Sequence, residues 1–125
     1  MDKVKSLSAA EWTVMSALWD DEPLMISEIA GKIGKETNWS YSTVATYISR
    51  LCDKGILTYK ERGKRRLYYP AVSIDDCVQA ESNSISERMA KVGTKKLLIH
   101  MIKDAGLTDQ DKDELLELID ELKSR

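Results

Sequence analysis

The sequence predicts a mainly α-helical fold with a small β element, an α+β chain in which residues 1–72 make one domain and residues 73–125 a helical region. Apolar residues recur at helical spacing over residues 40–53, where Val44, Tyr47, Ile48 and Leu51 share one stripe at i, i+3, i+4 and i+7. The opposite face carries Ser42, Thr46, Ser49 and Asp53, flanked by Thr43, Ala45 and Arg50. It is small and polar, without the Glu/Lys lattice of an ordinary solvated helix. Lys54-Gly55 then supplies a stop, and Ile56 to Pro70 reads as two alternating β-type runs around a basic turn centred on Gly63. Helix, stop and basic hairpin is the order of the recognition helix and wing of a winged helix-turn-helix.

The other elements follow along the chain. Ser8-Ala-Ala-Glu11 is a capping-box pattern that opens a helix with Trp12, Met15, Leu18 and Trp19 inward, and Asp20-Asp-Glu-Pro23 closes it. Leu24-Met-Ile26 is too short to classify on its own, and a winged-helix domain would require it as a third, edge strand of the hairpin. Ser27 caps a second helix with Ile29, Ala30 and Ile33 inward and Gly34 near its end, and Lys35 to Trp39 forms the turn. Gly31 weakens that helix by ~1 kcal/mol relative to Ala, a cost expected to be offset by close approach of the next helix. Ser40 or Ser42 caps the recognition helix.

After Pro70, Ser73-Ile-Asp-Asp76 is a second capping box. Ile74, Val78, Ile85, Met89 and Val92 give a thin inward stripe to about Gly93, with a kink or break expected at Glu81 to Ser84. Thr94 opens a segment with Leu97, Leu98, Met101, Ile102 and Ala105 inward and Gly106 as its stop. Thr108-Asp-Gln-Asp111 caps a final helix striped with Leu115, Leu118, Ile119 and Leu122. Three thin-striped helices cannot enclose a core of their own. The economical partner surface is a second copy of the chain, so a homodimer is expected, joined through Leu97, Leu98, Met101, Ile102, Leu115, Ile119 and Leu122.

Composition bounds the function. The chain has 125 residues, 42% apolar and 32% charged, which is ordinary for a globular protein. No apolar run approaches the ~20 residues of a membrane span, so no membrane insertion is expected. Met1-Asp-Lys-Val-Lys-Ser lacks the apolar core of a secretory signal, which points to the cytoplasm. The net charge of −2 conceals a division. Residues 50–66 hold seven basic side chains against Asp53 and Glu61, whereas residues 108–122 hold seven acidic ones against Lys112 alone.

Cys52 and Cys77 read as two buried thiols rather than a disulfide, and with one His and no Cys-x-x-Cys spacing they make no metal site. No cofactor is expected. His100, with Asp104 four residues on, has no nucleophile elbow, phosphate loop or carboxylate pair to serve, so the chain does not read as an enzyme. The polar face of the helix and the basic hairpin read instead as a duplex-DNA surface. Ser42, Thr43 and Thr46 are expected at base edges, Ala45 against a thymine methyl, and Tyr41, Arg50, Lys64 and Arg65 on phosphates. Tyr59, Tyr68 and Tyr69 are expected to pack the hairpin rather than stack on bases. The rival reading is a winged-helix protein-interaction adaptor without sequence-specific DNA binding, using the same helix and wing.

Ala10-Glu-Trp-Thr-Val-Met15 with Leu18-Trp19, then Thr43 to Leu51, Lys54-Gly55 and Tyr69-Pro70, resemble the BlaI/MecI penicillinase-repressor family over nearly the whole chain. The resemblance implies a winged-helix repressor with a helical C-terminal dimerisation region. It also implies binding to dyad-symmetric operators with TACA/TGTA-type half-sites, ahead of β-lactam resistance or other stress genes. In the family's resistance systems a membrane metalloprotease sensor triggers cleavage at an Asn–Phe bond after a Leu-rich run. Aligning Leu97-Leu-Ile99 with that run places His100–Met101 at the scissile position, a different pair. The related CopY copper repressors end in Cys-x-Cys motifs, which Glu121-Leu-Lys-Ser-Arg125 lacks.

Overall fold

In the computed structural model, which describes residues 4–125, the chain forms six helices and a hairpin. In order these are α1 (Ala9–Asp20), α2 (Ile26–Thr37), α3 (Tyr41–Asp53), β1 (Leu57–Arg62), β2 (Arg65–Pro70), α4 (Ile74–Met89), α5 (Thr94–Asp104) and α6 (Asp109–Lys123). Two compact units result, one ending at Ile85 and the other spanning Ser86–Arg125.

The first helix starts as its capping box dictates. The Ser8 hydroxyl accepts from the Glu11 N–H at 3.2 Å, and the Glu11 carboxylate accepts from the Ser8 N–H at 2.9 Å. The inward face is wider than the expected stripe, because α1 packs against α2, α3 and β2 together. Val14, Met15, Ala17 and Leu18 are buried, while Trp12 and Trp19 sit at the edge of the core with their rings 5.8 Å apart. The Trp19 indole N–H donates to the Val72 carbonyl at 3.2 Å, tying the segment after the hairpin to α1.

Glu11 also carries a contact that periodicity does not reveal. It is 4% exposed, and Lys54, at the C-cap of α3, donates to its carboxylate at 2.6 Å. Burial pushes the Glu11 pKa up, but the Lys54 ammonium and the Ser8 N–H outweigh it, and the carboxyl is held below the ordinary 4.5. The pair therefore stabilises the fold fully above pH 4.5, and its contribution is lost as pH falls through the lower folded value. Glu11→Gln keeps the capping box and removes the charge. It is expected to cost about 1–2 kcal/mol at pH 7, discounted because Lys54 is half-exposed, with a difference from wild type that closes in acid. Urea denaturation at pH 7 and pH 3 measures this; an equal difference at both would rule out the ion pair as its source.

The second helix begins one residue before Ser27. Met25 is its N-cap, with the Glu28 carboxylate accepting the Met25 N–H at 2.9 Å, so Ser27 lies in the first turn rather than capping it. Tertiary pairing sets this start. Leu24 exchanges backbone hydrogen bonds with Tyr68 at 3.2 and 2.8 Å, which reduces the expected edge strand to one bridge. The helix also runs past Gly34 to Thr37, and Asn38 turns the chain at φ 56. Gly31 is exposed and a Cβ there would meet nothing within 4 Å, so no close approach offsets its cost.

Ser40 caps α3, accepting the Thr43 N–H at 3.2 Å. Val44, Ile48 and Leu51 are buried and Tyr47 packs against the core's edge. The C-terminus closes in a Schellman motif: the Gly55 N–H donates to Cys52 and the Ile56 N–H to Leu51, with Gly55 at φ 76. Buried Ile56 and Leu51 supply the accompanying apolar contact.

The hairpin pairs Leu57 with Pro70 through to Arg62 with Arg65, around a two-residue turn whose first position, Gly63, has φ 64. Its alternation does not translate into alternating burial. Within the strands only Leu57 and Tyr68 are buried, because the hairpin tip projects beyond the three-helix core. The Tyr59 and Tyr68 rings meet across the pair at 5.6 Å, so these two tyrosines pack the hairpin.

Ser73 and Asp76 form the expected box, and α4 runs unbroken through residues 81–84. Its inward residues are Cys77 and Ala80, not the larger side chains. Cys77 is fully buried within the core of the first unit, and Ile74, Val78 and Val92 are exposed. The start of α4 therefore belongs to the first compact unit, which reaches Ile85 rather than stopping near Val72. Both cysteines are free, Cys52 half-buried, and burial pushes both thiols up.

In the second unit, Thr108 and Asp111 cap α6 reciprocally at 3.1 Å, but α5 and α6 bury no residue. Leu98, Met101, Ile102, Leu118, Ile119 and Leu122 are 44–55% exposed, and Leu97 and Leu115 are half-buried. Single side chains so exposed are common, but six on two helices are more apolar surface than two helices ordinarily leave in water.

Candidate nucleic-acid interface

The outward side of α3 is available as the sequence expects. Ser42, Thr46, Ser49 and Arg50 are exposed, Tyr41 is 57% exposed, and Thr43 and Ala45 are half-buried. Their hydroxyls are not equivalent. The Thr46 hydroxyl donates to the Ser42 carbonyl at 2.9 Å, so its lone pairs remain to accept from a base amino group. Thr43 is drawn into the cap, its hydroxyl 3.0 Å from the Ser40 hydroxyl, which also lies 3.1 Å from that of Ser42. Each of the three hydroxyls has one local partner, and Ser42 and Thr46 are the more exposed.

The seven basic side chains of residues 50–66 also divide. Lys54 is engaged with Glu11. The Arg66 guanidinium lies 4.5 Å from the Tyr59 ring centroid and 3.7 Å from Glu61, and the Lys60 ammonium lies 5.4 Å from the Tyr69 ring centroid. Lys64 and Arg65, at the hairpin tip, instead line an open cleft of about 340 Å³ with Tyr41, Met25, Ile26, Ser27, Arg66 and Tyr68. Folding thus brings Tyr41 from the start of α3 and Lys64 and Arg65 from the wing to one cleft, beside the first turn of α2. Sequence reasoning missed α2's share, since Met25 and Ile26 carry no polar signature. Arg50 lies nine residues beyond Tyr41, ~13 Å along the helix axis, so the expected phosphate contacts fall at the two ends of α3.

His100 and Met101 are both exposed within α5. No helix of the described residues is long and apolar enough to cross a membrane.

Three helices packed on one core, a bridging residue before α2 and a basic hairpin beside the exposed face of α3 define a winged helix-turn-helix protein. The chain belongs to the penicillinase repressor family, whose model matches residues 7–121. It is 26% identical to a penicillinase repressor of Bacillus licheniformis, over 100% of this chain and 98% of that one. It is 27% identical to the methicillin resistance regulatory protein MecI of Staphylococcus aureus (strain N315), over 94% and 96%. Among solved structures, the DNA binding domain of the repressor BlaI matches with a TM-score of 0.54 at 30% identity, covering 61% of this chain and 93% of that one. The monomeric form of Bacillus licheniformis BlaI in complex with the blaP half-operator matches with a TM-score of 0.53, at the same identity and coverage.

Proposed function

We propose that the protein is a transcriptional repressor that binds a dyad-symmetric operator as a homodimer, each protomer placing α3 in a major groove and its wing along the backbone. The observation that carries this reading is the small polar face of α3 beside the Tyr41–Lys64–Arg65 cleft. Hydroxyls of this size fit a groove, and unengaged cations fit phosphates. The half-operator complex of a relative with the same domain fold supports DNA as the partner. Ser42 and Thr46, with Thr43 and Ala45 beside them, read bases; Tyr41, Arg50, Lys64 and Arg65 hold phosphates. Residues 73–125 form the dimerisation region, with the start of α4 anchored in the first compact unit and the exposed apolar side chains of α5 and α6 supporting a contact with a second copy.

The operators are of the TACA/TGTA type, the regulated genes those of β-lactam resistance or another stress response, and the site of action the cytoplasm. A membrane metalloprotease sensor is the partner that starts induction. The resistance genes are supported by the family and its members' names; the operator type and the sensor are what the family resemblance implies.

Duplex binding measured over a range of salt tests the reading. Thr46→Ala is expected to reduce discrimination between operator and unrelated duplex by ~1–3 kcal/mol, with little change in salt slope. Arg65→Ala is expected to weaken all duplexes about equally and to lower the slope by about one unit. Binding with neither sequence preference nor salt dependence would favour the adaptor reading instead.

A further inference from the structure

Alongside α3 lies an arrangement that the small-residue pattern does not account for. Trp39, just before the helix, and Tyr47, in its middle, have ring centroids 5.0 Å apart and planes inclined by 35°. Both are half-buried against the edge of the core. The Arg50 guanidinium, one helical turn beyond Tyr47, lies 5.7 Å from the Tyr47 ring centroid and is itself exposed. The main chain at Trp39 is tied locally, its backbone N–H donating to the Thr37 hydroxyl at 3.2 Å, and its ring is half-buried against the core's edge. We infer that Tyr47 is a positioning residue for DNA binding: its ring, fixed by Trp39, holds the Arg50 guanidinium in place to receive a backbone phosphate.

The physical reason is entropic as well as electrostatic. A free arginine has several rotatable bonds, and fixing it on a phosphate costs rotamer freedom. A guanidinium held within cation–π range of a ring has lost part of that freedom before DNA arrives, and an exposed one keeps N–H donors available to solvent or phosphate. An aliphatic residue at position 47 would fill the same place in the stripe but offer no π face. A ring at position 47 thus meets both Trp39, at 5.0 Å, and Arg50, at 5.7 Å. The inference rests on the proposed DNA-binding reading, and in particular on Arg50 as a phosphate contact.

A double-mutant cycle on the full-length protein tests it, reading operator affinity at fixed salt. Arg50→Ala is expected to weaken binding and reduce the salt slope. Tyr47→Leu, which preserves apolar bulk, should weaken binding about two- to fivefold, the range of an exposed cation–π contact. Tyr47→Phe, which keeps the ring, should restore affinity to within about twofold of wild type. In the Arg50→Ala background Tyr47→Leu should have almost no further effect. A merely structural role for Tyr47 would instead give the same loss with or without Arg50, and that result overturns the inference. So would equal losses for the Phe and Leu variants. If wild type shows no salt-dependent duplex binding at all, the DNA-binding reading itself fails, a result separable from either of these.

Discussion

A doubly substituted protein, Leu98→Glu with Ile119→Glu, is expected to sediment as a monomer and to bind its operator about 10²–10⁴-fold more weakly than wild type. Both side chains are exposed in the single chain, so the substitutions cost little within the protomer. In a dimer each would place a carboxylate in the apolar interface, where an unpaired charge is strongly unfavourable. Two linked half-sites bind together because the first event raises the effective concentration for the second, and loss of the linkage removes that gain without touching α3. Cleavage at His100–Met101 would have the same consequence, since it separates α6 from the rest. A protease that needs an extended substrate would first have to unwind α5, in which this bond lies. Mass spectrometry of the protein from induced cells checks the route: an intact chain under full derepression excludes cleavage. A double variant that remained dimeric and bound the operator normally would exclude this face as the interface.

Ile48→Ala is expected to act in the opposite way, on stability rather than on recognition. Ile48 is 1% exposed and belongs to the stripe by which α3 packs on the core. Its truncation should cost about 2–5 kcal/mol, the sum of lost transfer energy and the cavity left behind. For a unit of this size that lowers Tm by about 10 °C or more. The folded fraction should keep its preference among operators, because no base-facing group is altered. Thermal unfolding by circular dichroism, with operator competition below the transition, separates the two quantities. A changed operator preference with unchanged Tm would mean that the stripe faces the groove and the polar residues the core.

Of the candidate site, the periodicity of residues 40–53 was enough to separate the buried face of α3 from the exposed one. Val44, Ile48 and Leu51 are buried, and Ser42 and Thr46 are exposed. Capping chemistry was legible for the same reason: Ser8–Glu11, Ser73–Asp76 and Thr108–Asp111 each satisfy backbone groups within four residues. The start of α2 was not, because the bridge between Leu24 and Tyr68 sets it from 44 residues away in sequence.

Local pattern by itself therefore determined the element order, the two faces of α3, the basic wing and the thin stripes of α5 and α6. Tertiary structure decided what each basic side chain meets. The Lys54 ammonium goes to Glu11, Arg66 and Lys60 lie near tyrosine rings, and Lys64 and Arg65 meet Tyr41 in one cleft. It also decided that Cys77 and Ala80, rather than Ile74 and Val78, join α4 to the first unit. The physical reason is range. A hydrogen bond to a neighbouring turn is written in consecutive residues, whereas an ion pair or a buried thiol depends on surfaces that approach only once the chain has folded.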